Sequence, residues 1–332
     1  MKAAESARAA PGCGGRPMKA VVMDSFGGAE VLRVTELAPP SPDDEDLLIR
    51  VACAAVNPVD WKIREGLLSD LLPHRFPVIP GWDAAGTVAA SGSRVTGFPP
   101  GTRVFAYCRK PVVQHGAYAE FITVPAASAA RVPERLSFAQ AATTPLGGLT
   151  AWQALMPGVR VRQGQTVLIH AGAGGVGSYA IQFARWAGAR VLTTTGRGNH
   201  DYVSALGADV PIDYGTENVV RAVRAAAPDG VDVVLDAVGG QAQEDACRIL
   251  KPGGTLVSIV AVPDEALARR HQVKTEFVFV SPNGAQLAEI AALMERGDVL
   301  PPAIEEFPLE EAPRAQERSR GGHVRGKLVL AV

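Results

Sequence analysis

Gln165-Thr-Val-Leu-Ile-His-Ala-Gly-Ala-Gly-Gly-Val-Gly-Ser-Tyr-Ala180 is followed by Ile181-Gln-Phe-Ala-Arg-Trp-Ala-Gly-Ala-Arg-Val-Leu-Thr-Thr-Thr-Gly-Arg197. The first half is an apolar strand that runs into Gly172-x-Gly174-x-x-Gly177. The residues after it keep helical spacing, with Val176, Ala180, Phe183, Ala184 and Ala187 on one face, and a second apolar strand begins at Val191. Glycine-rich turns are common in α/β chains. The order strand, turn, helix, strand at these lengths selects the site for a dinucleotide pyrophosphate. In that reading Gly172 makes the tight turn, Gly174 lets the backbone approach the phosphates, and Gly177 lets helix and strand pack closely. Gly175 and Val176 open the helix, whose N-terminus offers unpaired N–H groups to the anion.

The end of the second strand bears on which dinucleotide. An NAD site places Asp or Glu about 20 residues after the motif to bind the ribose 2′-hydroxyl. Here the chain reads Thr193-Thr194-Thr195-Gly196-Arg197-Gly198-Asn199-His200, with no carboxylate before Asp201. Hydroxyls followed by a guanidinium suit a 2′-phosphate. The reading is therefore NADP(H), held by Thr195, Gly196 and Arg197. The plain alternative makes Arg197 a solvated residue opening a helix.

The chain has 332 residues, with 47% hydrophobic and 20% charged. That is enough for two globular domains. A formal net charge of −1 gives no global field for nucleic acid or an anionic membrane, so neither is expected as a partner. No apolar run reaches transmembrane length. Residues 1–17 lack the hydrophobic core of a secretory signal and read as a disordered extension, or as sequence upstream of a start at Met18. Cys13, Cys53, Cys108 and Cys247 are scattered, which argues against a zinc lobe or a disulfide framework and for free thiols in a reducing cytoplasm.

Three regions follow from the patterning. Residues 18–136 carry short strand signals broken by Gly and Pro, an all-β domain. Residues 137–275 alternate strands (near 166–170, 190–194, 209–212, 231–235 and 254–260) with helices (near 137–156, 175–187, 199–206, 216–227 and 240–250). Such alternation gives a doubly wound parallel sheet. From Glu276 onward a strand at 277–280, a helix at 285–296 and a final strand at 327–331 return to the first domain.

This organisation resembles the medium-chain dehydrogenase/reductase superfamily, across almost everything from Met18 to Val332. Val56-Asn57-Pro-Val-Asp60-Trp-Lys62-Ile-Arg-Glu-Gly66 resembles the active-site loop of its zinc-free quinone oxidoreductase (zeta-crystallin-like) branch, with Lys62 as in a plant chloroplast-envelope subgroup. Phe76–Val88, Gly116–Phe121, Pro145–Trp152, Asp236–Gly240 and Lys251–Gly254 fit the same branch. The resemblance implies a GroES-like β-barrel catalytic domain (18–136 and 276–332) beside a Rossmann domain (137–275), and a homodimer. Zinc-dependent relatives place a Cys in the loop that here reads Asn57-Pro58-Val59-Asp60, and a His where Trp82 stands. A catalytic zinc needs three protein ligands, so no metal is expected.

Without zinc, hydride transfer favours substrates already electrophilic, namely quinones and α,β-unsaturated carbonyls. The resemblance implies the same class. It places Asn57 and Lys62 in the loop facing the nicotinamide as catalytic and cofactor-binding residues, with Lys62 anchoring the nicotinamide ribose and setting positive charge near a developing enolate; the plain alternative is a surface lysine. The resemblance further implies cofactor contacts at Thr150, Tyr214 (otherwise an ordinary strand-end aromatic), Phe279, Val280 and Lys327, while Val238, Gly239 and Val260 are expected at the cleft because they end the fourth and fifth strands. Trp82 and Asp60 are expected at the substrate, Trp82 as pocket wall or as packing. Thr150 has the alternative of bonding its own helix backbone, and His170 reads as a satisfied core residue. No tyrosine has Lys four residues on, which sets aside the short-chain reductases. An enoyl reductase or reductive cyclase of biosynthesis, and a crystallin-like NADPH-binding protein with little turnover, stay open.

Overall fold

The computed structural model describes residues 16–158 and 161–332. The expected N-terminal extension, through residue 15, and Cys13 lie outside the described residues. Six strands form one wholly parallel sheet in the order Val210–Asp213, Arg190–Thr195, Thr166–Ile169, Val231–Asp236, Leu250–Ser258, Lys274–Phe277. The order reverses direction at Thr166–Ile169, so a crevice opens at the carboxyl ends of this strand and of Val231–Asp236, the place where open α/β sheets take ligands. Val167, Leu168 and Ile169 are wholly buried because helices cover both faces. The helix Gly175–Trp186 packs on one face with Ala180, Ile181, Phe183 and Ala184 fully buried.

The other layer is a seven-stranded sheet, six of whose strands run in the order Ile304–Pro308, Lys327–Ala331, Asp46–Val56, Asp83–Ser91, Arg103–Tyr107, Ala129–Arg131, with Phe121–Pro125 off this path. The long strand Asp46–Val56 pairs through its first half with Phe121–Pro125 and through its second half with Lys327–Ala331. The chain's last strand thus closes onto one of its earliest. Helix Phe138–Ala142 packs on this sheet, helix Pro145–Gln153 joins it to helix Gly175–Trp186, and one hydrophobic core runs through both domains.

Several elements differ from the sequence expectation. The strand expected at 277–280 lies at Lys274–Phe277, as the sixth strand of the parallel sheet. The sheet therefore includes residues 276 and 277, which a boundary at 275 assigns to the other domain. Lys274-Thr-Glu-Phe is polar because an edge strand has only one neighbour, while the more apolar run after it faces the crevice. A strand at Ile304–Pro308 and a helix at Ala312–Arg320 were not anticipated. That helix buries only Ala312, Ala315 and Gln316, too narrow a stripe to register as periodicity.

Candidate active site

A cleft of about 1440 Å³ lies between the two sheets. Its floor is the glycine turn. Gly174 caps the helix Gly175–Trp186 without a side-chain bond, which leaves the first N–H groups for a ligand. A Cβ on Gly172 would fall 2.0 Å from Thr193 Oγ1, and one on Gly177 would fall 2.3 Å from the Ala171 carbonyl oxygen. These two glycines permit turn and packing. At Gly174 a Cβ would meet only the Ala171 oxygen, at 3.3 Å, so the backbone is open toward the cleft. His170 also lines the cleft. Its Nδ1 lies 3.1 Å from Thr194 Oγ1, but its buried Nε2 has no partner, so the satisfied-core expectation holds for only one nitrogen. An open backbone and an orphaned ring nitrogen are features a dinucleotide would complete.

The barrel wall presents a buried polar node. Lys327 Nζ donates to Asn57 Oδ1 and, at 3.2 Å, to the Val56 carbonyl. It stands 3.6 Å from Asp83 Oδ2. Asn57 Nδ2 donates to the same Asp83 oxygen at 2.8 Å, and the Leu146 N–H donates to Asp83 Oδ1 at 2.7 Å. Burial pushes the Asp83 carboxyl up and the Lys327 amine down, each toward its neutral form, while their mutual attraction opposes both shifts. A Cβ at Gly175 would strike Lys327 Cδ at 2.6 Å, and the Gly326 N–H donates to the Ala173 carbonyl at 2.8 Å. The C-terminal segment is therefore docked on the glycine turn, and a glycine at 175 is what lets the lysine pass. Asn57 reaches the cleft with its amide already committed to Asp83 and Lys327.

Asp60, expected at the substrate, does not line the cleft. As the third residue of helix Pro58–Arg64 it completes a capping box, accepting from the Asn57 N–H at 2.8 Å and from the Tyr118 hydroxyl at 2.9 Å. It is wholly buried with Oδ1 unpartnered, and burial pushes its carboxyl up to about 7.

The inner half of the cleft is mostly apolar, with Val59, Leu68, Leu71, Leu72 and Trp82 as walls. Trp82 serves both expectations, lining the cleft while packing edge-on to Tyr107 at 6.1 Å. Half-buried Lys62 lines this half, its Nζ 5.7 Å from the Trp61 ring centroid. Phe279 and Val280 close the opposite wall. Arg109 donates to the Val280 carbonyl at 3.0 Å and lies 4.4 Å from the Phe279 ring centroid. Thr150 lines the cleft but spends its hydroxyl proton on the Leu146 carbonyl, 2.7 Å away.

Toward the outer end come Val176, Thr195, Gly196, Asn199, Tyr214, Val238 and Val260. Asp236 shapes this rim, accepting from the N–H groups of Val238 and Gly239 at 3.0 and 2.8 Å and from the Ser258 hydroxyl at 2.9 Å. Gly172 and Gly239 stand behind the lining rather than in it. Arg197, expected on the cofactor, also lies outside the lining: it opens the single turn Arg197–Asn199 and is exposed to solvent. Among the described residues no cluster of three His, Cys, Asp or Glu side chains could hold a metal ion.

Comparison with known proteins agrees with this geometry. Residues 43–134 match the family described as alcohol dehydrogenase GroES-like domain, and residues 206–330 match that described as zinc-binding dehydrogenase. The chain is 32% identical to the quinone-oxidoreductase homolog, chloroplastic, of Spinacia oleracea, over 92% of this chain and 95% of that protein. It is 33% identical to the NADPH-dependent alkenal/one oxidoreductase, chloroplastic, of Arabidopsis thaliana, over 95% and 80%. The structure of the quinone oxidoreductase from Coxiella burnetii superposes with a TM-score of 0.85 at 35% identity, covering 96% of this chain and all of that one.

Proposed function

We propose, on the premise that this chain belongs to the medium-chain dehydrogenase/reductase superfamily and to its zinc-free quinone oxidoreductase branch, that it is an NADPH-dependent reductase of quinones or of C=C bonds conjugated to a carbonyl. The observation that carries the reading is the glycine turn, open at Gly174, feeding a largely apolar inner cleft in which Lys62 is a half-buried cation. The turn and the start of helix Gly175–Trp186 would hold the pyrophosphate. Bound there, NADPH supplies a hydride to an electrophilic carbon.

The protein contributes position and charge. Asn57 and Lys327 are fixed by Asp83, so the wall of the cleft is rigid where the nicotinamide end would rest. The Lys62 ammonium supplies positive charge for a developing enolate or quinol oxygen. Val59, Leu68, Leu72 and Trp82 give the inner cleft apolar walls suited to an apolar substrate. The preference for NADPH is supported by the threonine-rich strand end, which lacks a carboxylate until Asp201.

The reading extends to a cytoplasmic homodimer. Cys53, Cys108 and Cys247 are free and buried, as suits a reducing compartment, and no helix among the described residues is long and apolar enough to cross a membrane. Light scattering gives the mass. NADPH oxidation on a panel of quinones, enals and enones tests the activity. Turnover on at least one class is expected; tight cofactor binding with none would instead make this a binding protein.

A further inference from the structure

Arg197 follows the second parallel strand in sequence, and it is the guanidinium the strand end advertises. The structure brings a second one to the same turn from the far end of the chain. Arg325 donates from Nε to Asn199 Oδ1 at 2.6 Å and from Nη2 to the Gly198 carbonyl at 2.7 Å. Its Cζ lies 5.7 Å from the Tyr202 ring centroid. Asn199 lines the outer cleft with Thr195 and Gly196, and so do Val324 and Gly326 on either side of Arg325, which itself stands at the edge of the lining, as Arg197 does.

The electrostatics of the two arginines differ. Arg197 lies close enough to Asp213 to help hold that carboxyl below its usual range, behind the larger effect of hydrogen bonds from Thr216 and Gly215. Arg197 makes no side-chain hydrogen bond or ion pair among the described residues, so nothing in the protein orients its guanidinium, whereas Arg325 is anchored at two points. Arg325 forms no ion pair among the described residues, and both of its acceptors are neutral oxygens. Its Nη1 makes no hydrogen bond among the described residues. A cation held at a cleft rim by neutral acceptors keeps its charge and part of its donor fork for an anionic ligand.

We propose that Arg325 is the principal residue that recognises the 2′-phosphate of NADPH, with Thr195 and Asn199 completing the site and Arg197 contributing a weaker field. This rests on the NADPH reading above and sharpens it, moving the determinant from the strand end to the C-terminal segment. One short stretch then supplies both Arg325 at the 2′-phosphate and Lys327, which holds the barrel wall to the glycine turn. Docking of that stretch on the turn and recognition of NADPH become one structural event.

Calorimetric binding of adenosine 2′,5′-bisphosphate and adenosine 5′-monophosphate tests the proposal with wild type, Arg325→Ala, Arg325→Lys and Arg197→Ala. Wild type should favour the bisphosphate. Arg325→Ala should lose about ten- to hundredfold of that preference while its affinity for the monophosphate stays constant. Arg325→Lys should keep an intermediate preference, and Arg197→Ala should keep most of it. A purely structural role would instead weaken both nucleotides together and lower the melting temperature. That result, or a full preference retained in Arg325→Ala, overturns the proposal alone. A wild type that does not favour the bisphosphate overturns the NADPH reading and this inference with it.

Discussion

At the barrel end of the cleft, Asn57, Asp83 and Lys327 are 1%, 0% and 5% exposed, and every one is held by the others. At the outer end, Tyr214 is 49% exposed and Arg325 stands in solvent, tied to a turn by two hydrogen bonds to neutral oxygens. The first arrangement uses charges out of water, where removing one partner strands the other. The second uses charge in water, where an ion pair would contribute little and a multivalent anion is the worthwhile partner. One end is rigid and already satisfied; the other keeps its charge for a ligand.

The contrast breaks most sharply at Lys327. Replacing it with Met leaves Asp83 as an uncompensated buried charge and should cost about 3–5 kcal/mol in urea unfolding. Adding Asp83→Asn should recover much of the loss. A Lys327→Met protein of unchanged stability would mean that the node is not electrostatically coupled. Lys62→Ala should leave the melting temperature alone and lower turnover on an enone or quinone about a hundredfold, the scale of a lost oxyanion donor. Full turnover with full NADPH affinity would remove Lys62 from the chemistry.

Gly174→Ala separates fold from binding. Its Cβ meets little within the protein, so stability should hold while cofactor affinity drops about tenfold, as one charge-assisted backbone bond is lost. Fluorescence titration with NADPH reads it.

The smallest effect concerns Asp60, whose carboxyl burial raises to about 7. A raised value means that the folded protein holds the proton more tightly than the unfolded chain. The stabilisation is complete below the ordinary carboxylate value and is lost as pH rises through 7. Between pH 6 and pH 8 wild type should therefore lose about 1 kcal/mol relative to Asp60→Asn. Urea titrations of both proteins at the two pH values give the difference, and equal slopes would show that Asp60 is ionised throughout.

How much was legible varies with how local the signal is. The glycine turn, its strand and its helix lie within one short window, and each glycine's role follows from its immediate neighbours. Asp60 was misplaced because helix capping, a local device, turned its side chain inward to Tyr118, whose position no spacing reveals. Leu68, Leu71 and Leu72 line the cleft from a stretch whose conformation carries no periodicity. Arg325 had no signal at all: it sits in a polar stretch just ahead of the final strand, and only the docking of Gly326 on Ala173 carries it to the turn at Gly198.

The amino-acid sequence alone determined the alternating strands and helices of a parallel sheet and the chemistry of a nucleotide turn, because backbone geometry and apolar periodicity act over a few residues. Tertiary structure decided which charges meet. Asp83 and Lys327 pair across most of the chain, and Arg325 reaches the turn that Arg197 only introduces. Coulomb energy and desolvation depend on distance and burial in space, and neither is written in spacing along the chain.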